Sequence, residues 1–170
     1  MDAPRPEAGS MTSIKIELDR AILGQVPGKL SNFSTVLDKF VQRAATEAGR
    51  TMKLEAPKAL TTLTNSVVVE REASGSYLVR PTANYAAAVN AGARPHKPPL
   101  MPLVLWLKYT KRVSDQHELQ RRARGLQRAI ARNGTRANPF LQRTAAASQS
   151  RAMQLMRQGV AQAASEAFSK

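Results

Sequence analysis

The chain has no cysteine, so it can neither close a disulfide nor build a thiolate metal site, and it carries no mark of redox compartment. Aromatic residues are scarce at 5%, which leaves a core of aliphatic side chains and alanine and favours helix packing over a β-sandwich. No long apolar run is present. The most apolar stretch, Pro99 to Leu107, is far shorter than the roughly 20 residues that cross a bilayer as a helix. Residues 1–10 hold charge, proline and glycine but no apolar segment of signal-peptide kind. They read as a flexible arm, 1–11, with Met11 marking where the folded part begins. The expectation is a soluble or assembly-bound protein with no membrane partner. Acidic residues are few, 12 against 26 lysines and arginines, for a formal net charge of +14. Such a surplus predicts self-repulsion at low salt and attraction to acidic surfaces or polynucleotides.

What is present suffices for one domain with a real core, expected over residues 12–170, at an apolar fraction of 42%. Ile14, Ile16 and Leu18 alternate with Ser13, Lys15 and Glu17, the period of a short half-buried strand. Gly24, Pro27 and Gly28 punctuate a loop. Ser31 or Asn32 offers a cap for a helix whose Phe33, Val36, Leu37, Phe40, Val41, Ala44, Ala45 and Ala48 share a face, with Gly49 as its natural stop or Met52 one turn later. Pro57 and the threonines after it read as a connector. Val67–Arg71 and Tyr77–Arg80 flank a turn at Ala73–Ser76 and predict a hairpin.

A short helix from Tyr85 to Ala91 should end at Gly92, and the three-proline segment up to Pro99 cannot be regular structure. Leu100–Tyr109 resumes as an apolar helix that tolerates Pro102 in its first turn. From Asp115, Leu119, Ala123, Leu126 and Ile130 define a basic amphipathic helix closed by Asn133-Gly134. Asn138 as cap and Pro139 as first residue open a last helix, with Leu141, Ala145, Ala152, Met156, Val160, Ala163 and Phe168 expected near its buried side. Trp106, Met153 and Met156 read as core. The fold class predicted is α+β, a small antiparallel sheet packed with several helices and a long C-terminal one.

Catalytic constellations are missing from the sequence. His96 and His117 have no spacing that would pair them, and no zinc-protease, phosphate-loop or nucleophile-elbow pattern occurs. Carboxylates are scattered rather than clustered, so catalytic, metal and cofactor sites are all expected to be none. His96, between Arg94-Pro95 and Lys97-Pro98-Pro99, reads as a loop hydrogen-bonding group rather than a metal ligand. The basic stretch is more informative: from Lys108 to Arg151 only Asp115 and Glu118 oppose the cations. Arg121, Arg122, Arg124, Arg128, Arg132 and Arg136 form a candidate basic surface near DNA, against the simpler reading of a solvated helix face. No zinc finger or stacking aromatics accompany them, so base-specific recognition is not expected.

Two ordered stretches go beyond composition: Tyr85-Ala-Ala-Ala-Val-Asn-Ala-Gly92, continuing through Arg94 to Pro99 with Leu103 and Trp106, and Ile130-Ala-Arg-Asn-Gly134-Thr-Arg-Ala-Asn-Pro139-Phe140-Leu141. In order and spacing these resemble the tail-component family of long-tailed bacteriophages, the tail-completion or minor-tail-protein-Z-like proteins. Ala56-Pro57 with Leu63 and Ser66 also fits. The chain departs from the pattern at Leu60-Thr61-Thr62, where the family has Thr-Gly before the leucine, and at Asn90, where an acidic residue is common. The resemblance spans roughly residues 12–168. It implies structural roles for Tyr85, Gly92, Trp106, Gly134, Pro139 and Phe140, no enzymatic activity, and a virion protein of the neck or tail that passes through the host cytoplasm during assembly. Its implied partners are copies of itself in a ring, other neck and tail proteins, and packaged DNA touched non-specifically. The rigid Arg94-Pro95-His96-Lys97-Pro98-Pro99 segment is the candidate subunit contact, since proline reduces the entropy lost on docking. Alternatives are a tail terminator or head-closure protein of the same region, or a free-standing basic nucleic-acid-binding protein.

Overall fold

A computed structural model describes residues 13–17, 30–58 and 61–168, with the side chains of residues 30, 31, 167 and 168 outside the description. The expected arm, Leu18, the loop of Gly24, Pro27 and Gly28, and the burial of Phe168 lie outside the described residues. The architecture is α+β. In order come β1 (Ile14–Glu17), α1 (Leu30–Glu55), α2 (Thr62–Asn65), β2 (Val67–Ala73), β3 (Ser76–Pro81), α3 (Ala86–Ala91), α4 (Leu100–Lys111), α5 (Gln116–Asn133) and α6 (Phe140–Phe168).

The sheet runs β1-β3-β2, with β3 antiparallel to both neighbours. Strand alternation sends Tyr77 and Val79 toward α1, where both are buried. The opposite face carries charge in pairs, Lys15 on Glu17 at 2.8 Å and Arg80 on Glu70 at 2.9 Å. The Glu17 carboxylate, through its hydrogen bond and its charge, holds the Lys15 ammonium above the ordinary amine value. Asp38 of α1 clamps the hairpin from behind. It accepts from the Gly75 amide at 2.7 Å, the Arg71 guanidinium at 3.0 Å and the Tyr77 hydroxyl at 3.3 Å. Burial, and then the Asp38 charge, push the Tyr77 phenol above its ordinary value.

Helix α1 is the centre of the molecule because its apolar face is wide enough for two partners. Val41, Ala45, Ala48 and Met52 join Val67, Tyr77 and Val79 of the sheet and Phe140 and Leu141 of α6 in one cluster. Phe33, Leu37, Phe40 and Ala44 join Leu155 and Ala163 in a second. The two helices therefore lie antiparallel, and each large side chain sealed between them contributes about 1.5–3 kcal/mol.

Gly49 does not stop α1, which runs six residues further, to Glu55. A glycine cap needs exposed carbonyls and a left-handed turn, whereas Gly49 is buried against the sheet and Met52 beyond it is fully sealed. The missing Cβ lets helix and sheet approach: one built there would stand 3.0 Å from Val69 Cγ2. Termination falls instead at Ala56-Pro57. Ser31 and Asn32, expected as caps, lie within the helix, and the expected connector contains the one-turn α2.

Helix α6 turns Leu141, Ala152, Met156 and Ala163 to the core as expected, and fills the rest of that line with residues its apolar pattern does not mark. Leu141, Thr144, Ser148, Leu155, Gly159 and Ala163 face α1. Met153, expected in the core, is 53% exposed, and Val160 is exposed as well. At about 100° per residue both sit well round the helix from the seam. Between Leu141 and Leu155 and beyond, the small Thr144, Ser148, Gly159 and Ala163 let α1 come close. Thr144 returns its hydroxyl to the Phe140 carbonyl at 2.7 Å, while buried Ser148 Oγ has no partner among the described residues and fits by size. A Cβ on Gly159 would stand 2.8 Å from Phe40 Cβ and Cγ. The third cluster, Leu107, Val113, Leu119 and Ala123 with half-buried Trp106, belongs to α4, α5 and the turn between them.

Candidate functional site

The distinctive feature is the α4–α5 hairpin and the neck that carries it. The chain leaves the body after α3 and returns before α6, and the two passages are bonded to each other. The Thr135 amide donates to the Ala93 carbonyl at 2.9 Å, and the Ala93 amide donates to Thr135 Oγ1 at 2.8 Å. Gly92 and Gly134 stand at the two roots with φ of 80° and 72°, a region that glycine enters without steric cost. Their lack of a side chain matters equally. A Cβ on Gly92 would lie 2.6 Å from the Thr135 carbonyl oxygen, and one on Gly134 would collide with the Ala93 carbonyl oxygen.

Just below the neck, Asn90 of α3 accepts from the Leu141 amide at 3.1 Å through its buried side-chain oxygen. It thereby caps α6 from 51 residues away, satisfying one of the amides that a helix start leaves free. Asn138, expected as the cap, receives the Arg143 guanidinium at 2.8 Å instead, and its own amide donates to the Val89 carbonyl at 3.0 Å. The Arg94–Pro99 segment crosses the top of the neck. All of it is exposed except half-buried Pro98, whose carbonyl accepts from Gln127 Nε2 of α5 at 2.7 Å. His96 Nδ1 lies 2.8 Å from the Arg94 carbonyl oxygen, which makes that ring nitrogen the donor.

The hairpin concentrates the charge of the chain. Between Gly92 and Pro139 there are eleven lysines and arginines and two acidic residues. In the body, cations meet carboxylates: Arg71 with Asp38, Arg80 with Glu70 and Arg143 with Glu55. In the hairpin, among the described residues, only Arg122 finds one, Glu118 one turn back. That glutamate follows Asp115, whose carboxylate caps α5 by accepting from the Glu118 amide at 2.7 Å.

The candidate basic residues are not equivalent. Arg121, Arg124, Arg128 and Arg132 fall within about 80° of one another on α5 at about 100° per residue. All four are exposed, and they stand directly opposite the buried Leu119, Ala123 and Ile130. Arg122 is off this line, and Arg136 lies beyond the helix in the neck. Helix α4 carries a contrasting surface. Met101, Leu105 and Tyr109 recur every four residues and are 65%, 41% and 63% exposed, facing away from Leu103 and Leu107. Tyr109 also lines a shallow depression with Pro57, Lys58, Trp106 and Thr110. The four-residue spacing was visible in the sequence, but which side of α4 its partner would cover was not.

Of the residues tied to the family resemblance, Gly92, Gly134, Pro139 and Phe140 converge on the neck, together with α3, whose start is flanked by exposed Tyr85. Trp106 lies apart, in the hairpin core. Among the described residues no three histidine or carboxylate side chains stand close enough to hold a metal ion, and no helix is long and apolar enough to cross a membrane. No protein-family model, no curated protein and no solved structure matches the chain.

Proposed function

We propose that the chain is a non-enzymatic structural subunit of the neck or tail end of a tailed bacteriophage, assembling as a homo-oligomeric ring in tail completion and head–tail joining. The observation that carries this reading is the convergence at the neck. The two stretches resembling tail-component proteins, 42 residues apart at the Ala93–Thr135 bond, are clasped together in the fold. Their glycines occupy positions where any side chain would collide, and Phe140 is fully buried beneath them. Gly92, Gly134 and Phe140, from two separate stretches of the sequence, thus act as one structural unit, with Trp106 apart in the hairpin core. The exposed apolar line of α4 gives such a ring a contact surface, continuous with the Arg94–Pro99 turn that precedes it. The same contact would suit a tail terminator or head-closure ring.

Electron microscopy of lysates from a phage lacking the gene tests this reading. Filled heads beside separate tails are expected. Overlong tails would move the role to tail termination, and normal infectious particles would overturn the structural assignment.

A further inference from the structure

We propose that the outward face of α5 is a sequence-independent docking surface for the phosphate backbone of duplex nucleic acid, gripped by Arg121, Arg124, Arg128 and Arg132. This goes beyond the neck reading and stands on the ridge itself. Three observations carry it. First, the four guanidinium groups share one line spanning about 16 Å at about 1.5 Å per residue, and none of them has a carboxylate partner among the described residues. A polyanion is the ligand that satisfies a row of like charges.

Second, the face has no apolar anchor. The residues interleaved with the arginines are Gln120, Gly125, Ala129 and Ala131. Protein interfaces are depleted of charge at their centre and draw their energy from buried aromatic and aliphatic groups. A phosphate backbone asks only for charge and access. The absence of aromatics also argues against single strands, which bind by stacking bases on rings.

Third, Gly125 sits four residues after Arg121 and three before Arg128, in the middle of an exposed helix. A Cβ there would meet none of the described residues within 4 Å. Packing within the chain therefore gives no reason for glycine at a position where alanine is the better helix former. A bare backbone does let a neighbouring surface approach between the two arginines. The hairpin's own core and the Gln127–Pro98 bond fix the direction in which the ridge faces.

The test uses the full chain and a double-stranded DNA of random sequence, with affinity measured by fluorescence anisotropy across a salt series. Each phosphate neutralised contributes about −0.9 to the slope of log K against log salt, so four contacts predict a slope of roughly −3.6 from the ridge. Arg128→Gln should remove about one such unit. Arg122→Gln, on the same helix but off the line and already paired, should leave the slope unchanged. Gly125→Gln should weaken binding severalfold while raising the urea midpoint, a split that a loss of folding cannot produce. Equal losses for Arg122→Gln and Arg128→Gln would overturn the proposal, because binding would then follow net charge rather than the ridge. So would tighter binding to single strands. So would ridge variants that lose self-association with duplex binding intact, an outcome that would make the ligand an acidic protein face.

Discussion

Among the described residues three glycines lie inside helices, and replacing each with alanine should give three different results. Alanine is the better helix former by about 0.8–1.0 kcal/mol, so that gain is common to all three sites, and the space around each Cβ decides what remains. At Gly125 nothing lies within 4 Å, and Gly125→Ala should stabilise by close to the full amount, about 1 kcal/mol. At Gly49 the new methyl meets Val69 Cγ2 at 3.0 Å. Val69 is partly exposed at the sheet edge and can turn aside, so gain and cost should nearly cancel. At Gly159 the methyl would stand 2.8 Å from both Cβ and Cγ of Phe40. The Cβ is fixed to the α1 backbone, so the seam must open, and overpacking of this kind costs about 1–3 kcal/mol. The net effect of Gly159→Ala should be a loss of up to about 2 kcal/mol. Urea denaturation at constant slope reads all three as shifts in midpoint. The expected order of stability is Gly125→Ala, then Gly49→Ala, then Gly159→Ala. Stabilisation by Gly159→Ala equal to that of Gly125→Ala would refute the close approach of α1 and α6.

Asn90→Ala should lower stability by about 1–2 kcal/mol, since it strands the buried Leu141 amide; Asn90→Asp should keep most of it, because a carboxylate accepts the same bond at a helix start that favours negative charge. A urea series on the two variants separates them, and equal losses would show that Asn90 matters for packing rather than as a cap. The Tyr77 phenol is raised, so its contribution to stability is complete below about pH 10, the unfolded value, and is lost as pH rises through the higher folded value. Tyr77→Phe should therefore show a shallower alkaline fall in thermal midpoint than the parent chain, and an unchanged fall would assign the effect to other groups. Finally, the self-association proposed for the α4 line would have to overcome repulsion between chains of charge +14. Sedimentation velocity should find it strengthened as screening shortens from about 10 Å at 0.1 M salt to about 3 Å at 1 M. Leu105→Asp should abolish it, and assembly that instead weakens with salt would point to an ionic contact.

The sequence carried α1, the hairpin strands, the basic helix and both neck glycines because each leaves a local signature of period or turn chemistry. It misled where the deciding partner was remote. Gly49 has the local look of a helix stop, yet Met52 is held by the sheet and by Phe140, and tertiary burial outweighs the local rule. The α6 seam was legible at Leu141, Ala152, Met156 and Ala163 but not at Thr144, Ser148 and Gly159, which do not count as apolar although their small size suits the interface. Asn90 shows the limit most clearly. Its place in the sequence says only that it lies in a short helix, and its role exists only because Leu141 arrives beside it. At the candidate site, the arginines and the helix phase set by Leu119, Ala123 and Ile130 were legible in the sequence, whereas the lack of carboxylate partners along the ridge and the place of Arg136 in the neck needed the fold.

The bonded passage at Ala93 and Thr135 makes residues 94–134 an insertion in the topological sense. The chain exits and re-enters through one doorway, and neither of the two body clusters contains a residue from that stretch. The hairpin can therefore be lengthened by whole helical turns, or have its surface charge rewritten, with the foundation left intact. Changes to what the hairpin touches and changes to the packing of the body therefore fall on separate sets of residues.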